Sequence, residues 1–196
     1  MQQVVDFYFD VGSPASYLAW TQLPALCRQA GAQLVYKPML LGGVFQATGN
    51  TSPASVPAKG RYMNRDLARF ARRYGVPLGT NPYFPINTLQ LMRAISGIQV
   101  RDPSRFEALL ATVFHAMWVD VRNMNDPAVV AEALAVGGFA PADIFAMANE
   151  PEVKAGLKTT TEEAVQRGVF GAPTVFVGDT MFFGQDRLDF VREALA

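Results

Sequence analysis

The 196-residue sequence predicts an α/β fold whose sheet is assembled from the two ends of the chain around a helical middle. Three observations predict it. Val4-Val5-Asp6-Phe7-Tyr8-Phe9-Asp10 is β-rich and passes through Gly12 and Pro14 into helical periodicity. Thr174-Val175-Phe176-Val177 and Thr180-Met181-Phe182-Phe183 flank Gly178-Asp179, the pattern of a β-hairpin. Between these ends, apolar residues recur at helical spacing in one segment after another.

The elements follow in order. Ser13 is a good N-cap, and Pro14 suits a first helical position, where a missing N–H costs nothing. Apolar residues at 18, 19, 23, 26 and 27 continue that helix to Gly31, a plausible C-cap. Gln33 to Lys37 alternates as a strand does, and Pro38 stops it. Residues 42–57, rich in Gly, Thr, Ser, Asn and Pro, read as one or two ordered loops. Helices are expected over 59–74, 87–97, 104–119, 126–136, 141–148 and 150–167, with Asn87, Ser104, Asp126 and Pro141 near their starts. After the hairpin, Asp186 to Leu195 reads as a final helix. The succession is βαβ, a helical block, then ββα. It describes a thioredoxin-like core, residues 1–40 plus 166–196, interrupted by a helical insertion, residues 41–165.

Composition excludes several function classes. Half of the residues are apolar, enough for a sizeable core. Seventeen basic residues balance seventeen acidic ones, so no global field favours nucleic acid or anionic lipid. A single cysteine, Cys27, permits neither an internal disulfide nor a cysteine-rich zinc site. The opening residues lack a basic region followed by an apolar one, and no apolar run reaches the ~18 residues of a membrane span. A soluble, cytoplasmic protein without nucleic-acid or membrane partners is the expectation.

The chemistry concentrates at Ser13-Pro14-Ala15-Ser16. A strand, a short turn and a helix start is where thioredoxin-type folds keep Cys-x-x-Cys, and here both cysteines are serines. A hydroxyl at a helix N-terminus cannot be oxidised, yet it can donate a hydrogen bond to an anion such as a thiolate. Ser13 is therefore either a helix cap alone or a cap that also binds an anion. Gly171-Ala172-Pro173-Thr174 stands before the hairpin, where such folds place a cis-proline facing that turn. His115 has Phe114, Met117 and Trp118 as neighbours, which points to a buried helix face and a structural role. Cys27 falls on the interior face of the first helix as an inert thiol. Lys59, Arg61, Arg65, Arg69, Arg72 and Arg73 read chiefly as a solvated helix face. Tyr83 and Phe84 either wall a pocket or fill core.

Five stretches in order carry a resemblance. They are Phe7-Tyr8-Phe9-Asp10 with Ser13-Pro14 and Ser16-Tyr17-Leu18-Ala19; Gly49-Asn50 with Pro57-Ala58-Lys59-Gly60-Arg61-Tyr62; Phe84-Pro85-Ile86-Asn87-Thr88; Phe170-Gly171-Ala172-Pro173-Thr174; and Phe183-Gly184-Gln185-Asp186-Arg187-Leu188. Across essentially the whole chain, the sequence resembles 2-hydroxychromene-2-carboxylate isomerases and kappa-class glutathione transferases. Both are serine-bearing branches of the DsbA-like thioredoxin superfamily. The resemblance implies that Ser13 hydrogen-bonds the sulfur of glutathione and that Ala172, before cis-Pro173, pairs with the cysteinyl backbone. It implies Asp186 for the γ-glutamyl ammonium, Gln185 for the adjoining carboxylate, Asn50 as a polar ligand and Lys59 for a carboxylate of glutathione or substrate. Asp186 is equally suited to begin the last helix, and Asn50 to a turn beside Gly49. The activity implied is glutathione-dependent isomerisation of an aromatic chromene carboxylate, with a homodimer as the assembly. A transferase that releases a glutathione conjugate, or a non-catalytic glutathione- or peptide-binding module, are the alternatives. Disulfide exchange is disfavoured because it needs a cysteine where Ser13 stands.

Overall fold

The computed structural model describes residues 2–196. Four strands, β1 (Val4–Phe9), β2 (Gln33–Pro38), β3 (Thr174–Val177) and β4 (Thr180–Phe183), form one sheet in the order β2-β1-β3-β4. β1 runs parallel to β2, with Val5 opposite Leu34, and antiparallel to β3, with Tyr8 opposite Thr174. Among the described residues every strand comes from one end of the chain or the other, and the segment between is helical. The expected core with a helical interruption is what the chain builds.

Alternation along β1 divides the interior in two. Val5, Phe7 and Phe9 face the larger core, with α1 (Pro14–Ala30), α5 (Phe106–Trp118) and α9 (Leu188–Ala194). Tyr8 faces a smaller core with Met39, Val44, Ala164, Val169 and Phe176. The second face is closed by α8 (Pro151–Gln166), whose Glu163 accepts hydrogen bonds from Tyr8 Oη at 2.6 Å and Lys37 Nζ at 3.2 Å. Arg167 bonds Asp6 at 2.7 Å and Tyr8 Oη at 3.1 Å. Burial, then the hydrogen bond to Glu163, push the Tyr8 phenol up to about 12, so it remains a neutral donor. The remaining helices are α2 (Leu41–Thr48), α3 (Pro57–Tyr74), α4 (Leu89–Arg101), α6 (Pro127–Val136) and α7 (Pro141–Asn149). No single helix is long and apolar enough to cross a membrane.

Three sequence expectations change. Residues 42–57 are not only loop, because Leu41–Thr48 forms a helix, α2. Its two early glycines and its Leu40 cap give no local helix signal. Tertiary contacts supply its start instead: the Asp10 carboxylate accepts the Leu41 N–H at 2.8 Å, and Thr161 Oγ1 accepts the Leu40 N–H at 3.0 Å. His115 is not buried. Its flanking residues fill the core, but its own ring stands on the outer side of α5, 3.2 Å from the Asp120 carboxylate. The last helix starts later, at Leu188, after a single 3-10 turn over Gln185–Arg187. Cys27 is buried as expected, and burial pushes its thiol up to about 11.

Asp10 links the elements most economically. It is 1 % exposed, and its carboxylate accepts hydrogen bonds from Gly12 N at 2.9 Å, Leu41 N at 2.8 Å and Thr88 Oγ1 at 3.1 Å. Burial outweighs these donors and drives its pKa above 3.8. Asp10→Leu, which orphans all three donors, is expected to cost roughly 3 kcal/mol in a denaturant titration. The raised pKa also fixes a sign. The folded state binds the proton more tightly, so this contribution is fully present below the unfolded value near 3.8 and is lost as pH rises through the folded pKa. The stability gap between the wild type and Asp10→Asn should therefore narrow as pH rises from about 3.8 through the folded-state pKa; a gap that widens as pH rises contradicts the assignment.

Candidate active site

A cavity of about 590 Å³ lies where the C-terminal end of β1 meets the insertion. Its floor is Gly12-Ser13-Pro14, one wall is Ala172-Pro173 with Gln185-Asp186, and the opposite wall belongs to the insertion.

Ser13 is the N-cap of the 17-residue helix α1 and is 6 % exposed. Its Oγ accepts the Ser16 N–H at 3.1 Å and donates to the Ala172 carbonyl at 3.1 Å. Its own N–H donates to the Asp10 carbonyl at 3.0 Å. A hydroxyl at the positive end of a long helix, opening on a cavity, is an anion-binding arrangement. The Ala172-Pro173 peptide is cis, as the resemblance to thioredoxin-type folds implied, and the Pro173 carbonyl accepts the Gly184 N–H at 3.0 Å. Ser16 is wholly buried, and its hydroxyl has no partner among the described residues.

Most of the other predicted residues converge on the cavity. Asn50 lines it and spans its mouth, with Nδ2 donating to the Phe170 carbonyl at 2.8 Å and Oδ1 accepting the Thr51 N–H at 2.8 Å. Gln185 is 8 % exposed, and its carbonyl accepts the Tyr74 hydroxyl of α3 at 2.7 Å. Asp186 lines the cavity and pairs with Arg187 at 2.7 Å. Lys59 does not join them: it is exposed on the first turn of α3, and only its neighbour Gly60 reaches the wall. Phe84 lines the cavity, whereas Tyr83 is half exposed and stands off the wall, so neither fills core.

The insertion contributes an apolar half that the sequence did not reveal. Phe45, Met63, Leu78 and Trp118 join Phe84 there, with Phe84 and Trp118 ring centroids 6.2 Å apart. The 78–85 loop is held firmly. Gly79 N–H donates to the Trp118 carbonyl at 2.6 Å, and buried Asn81 donates to the Met117 and Arg122 carbonyls at 2.8 and 3.0 Å. No local pattern marks Trp118 as a wall residue; its indole N–H bonds the Val11 carbonyl at 2.8 Å from 107 positions away. Among the described residues, the only ionisable side chains on the wall are Asp66 and Asp186, with no lysine or arginine. Among the described residues the wall carries no cysteine.

The DsbA-like thioredoxin domain matches residues 4–196, and the chain belongs to that family. A 2-hydroxychromene-2-carboxylate isomerase of Sphingobium xenophagum is 34 % identical over 100 % of this chain and 99 % of its own. The rat glutathione S-transferase kappa 1 is 28 % identical over 95 % of this chain and 88 % of its own. A solved 2-hydroxychromene-2-carboxylate isomerase superposes with a TM-score of 0.85 at 29 % identity, covering 98 % of this chain and 94 % of that one. Within the DsbA-like fold the chain is thus a member of the isomerase and kappa-transferase branch, and an enzyme of the isomerase type.

Tyr74→Phe removes one hydroxyl from the support of the Gln185-Asp186 wall. It is expected to cost about 1 kcal/mol of stability, as a denaturant titration will show.

Proposed function

We propose that the protein is a glutathione-dependent isomerase for 2-hydroxychromene-2-carboxylate-like aromatic substrates, in which Ser13 holds the glutathione sulfur as a thiolate. The observation that carries the reading is the Ser13 hydroxyl, set at the N-terminus of α1 beside cis-Pro173 on the floor of a cavity without cysteine.

The residues present fit the tripeptide. Asp186 offers a carboxylate for its ammonium, Gln185 and Asn50 offer amide donors for carboxylates, and Ala172 offers backbone for pairing as an added strand does. Glutathione, when bound, would supply a nucleophilic thiolate and would be regenerated unchanged. Ser13 turns its hydroxyl from the Ala172 carbonyl to the sulfur, while its Oγ goes on accepting the Ser16 N–H. The apolar half, with Phe84 and Trp118, orients the aromatic part and excludes water. Lys59, next to wall residue Gly60, is the cation proposed to meet the substrate carboxylate at the cavity mouth. A homodimer and a cytoplasmic location, where glutathione is kept reduced, go with this reading.

One observation favours a second reading. The wall itself carries no cation, which suits a neutral electrophile and conjugation of the kappa-transferase kind. The two readings part on product mass: isomerisation leaves glutathione free, and conjugation retains it. A screen with a chromene carboxylate and an aryl halide decides between them, and binding without turnover of either would indicate a non-catalytic module. Lys59→Ala should raise KM for the carboxylate substrate and leave conjugation of the aryl halide unchanged. Ser13→Ala should raise the pKa of the bound thiol by about one to two units, because a hydrogen bond to a charged group is worth ~1.5–3 kcal/mol. Turnover should fall more than binding, since the helix N–H groups remain. Equal thiolate titration and equal turnover in the two proteins would reduce Ser13 to a helix cap.

A further inference from the structure

We propose that Asp10 and Thr88 are positioning residues for Ser13, forming with Gly12 a clamp through which the helical insertion sets the aim of the thiolate-binding hydroxyl. The inference rests on the glutathione reading for its catalytic consequence and on geometry alone for the clamp.

Residues 10–13 form the turn that carries Ser13 to the floor, and each is tied down separately. Asp10 holds the turn twice: its side chain accepts the Gly12 N–H at 2.9 Å and its carbonyl accepts the Ser13 N–H at 3.0 Å. Val11 is held by the insertion, with its carbonyl accepting from Trp118 Nε1 at 2.8 Å and its N–H directed at Met92 Sδ at 3.3 Å. Gly12 lies flush against the N-cap of α4: a β-carbon on it would come within 2.9 Å of Thr88 Cγ2 and 3.3 Å of Asp10 Oδ1. Thr88 Oγ1 donates to the second oxygen of the same carboxylate, which also accepts from the first residue of α2. The carboxylate therefore ties the Ser13 turn to the starts of two insertion helices at once. Its partners are two backbone amides and one hydroxyl, with no cation among them.

Such a clamp matters because Ser13 has little slack. Its Oγ already accepts from Ser16 N at 3.1 Å, so a shift of the turn by a few tenths of an ångström re-aims the hydroxyl and the helix-start amides together. Trp118 belongs both to the clamp and to the cavity wall, so the aim of the sulfur and the seat of the aromatic group share one support.

The test uses a reporter that needs no glutathione. In a Ser13→Cys background, the pKa of the introduced thiol is read from thiolate absorbance; Cys27 is buried and stays silent in this range. Adding Gly12→Ala, which drives a methyl against Thr88, should raise that pKa by about one unit, a tenfold loss of thiolate at a given pH below it. Adding Thr88→Ser, which deletes the opposing methyl but keeps the hydroxyl, should return it to the parent value. In the Ser13 protein the same pair should lower kcat about tenfold and then restore it, with KM for glutathione little changed. If Gly12→Ala lowers the melting temperature but leaves the reporter pKa where it was, the clamp is only structural and the proposal is overturned. If the reporter moves and recovers while the Ser13 protein neither binds glutathione nor turns over, the clamp stands and the glutathione reading falls.

Discussion

A carboxylate taken out of water without a cation must be met by hydrogen-bond donors, and Asp10 obtains two of its three donors from segments 31 and 78 positions away. Desolvating such a group costs several kcal/mol unless each donor stays in place. The cost falls on the β1–α1 turn, the start of α2 and the start of α4 alike, because moving any one of them abandons the charge. The thioredoxin-like sheet and the helical insertion are thereby locked at the point where Ser13 stands. The site is consequently a junction between the two, and neither contains it alone.

The fold is one that elsewhere exchanges disulfides, and the chemistry here differs through very few atoms. With Ser13 in place of a cysteine, the helix dipole, the cap and the cis-Pro173 turn remain, while the covalent redox step is lost. What is left is a hydroxyl and backbone N–H groups at a helix start, an arrangement that suits an anion. The insertion side of the cavity carries Phe45, Met63, Leu78, Phe84 and Trp118 together with Asn50, Asn64, Asn81 and Asp66, and the sheet side carries Phe170, Phe183, Gln185 and Asp186, so apolar and polar groups reach the wall from both. The 78–85 loop forms part of the insertion side on backbone hydrogen bonds anchored at Trp118 and Asn81, which makes it a built wall rather than a mobile flap.

Much of this was legible in residue order. The β-rich ends, the Gly178-Asp179 hairpin and the Ser13-Pro14 helix start are short-range patterns, and short-range patterns are what propensity and capping report. Asn50, Ala172, Pro173, Gln185 and Asp186 were found through resemblance and do line one cavity; Lys59, found the same way, stands beside it. His115 was misread because its neighbours, and not its own position on the helix circumference, set the impression of burial. The helix at Leu41–Thr48 was missed because no side chain caps its start and two glycines open it.

The sequence by itself determined the strand and helix content, the loss of redox chemistry at position 13 and the serine presented at a helix start, since each depends on neighbours within a turn or two. Only the tertiary structure decided where that serine points, which aromatic rings face it, and that a buried aspartate fastens three distant segments beneath it. Those features rest on contacts such as Trp118 to Val11 and Asp10 to Thr88, spanning 107 and 78 positions. No periodicity encodes them; they exist because close packing of the insertion on the sheet leaves each buried donor only one acceptor within reach.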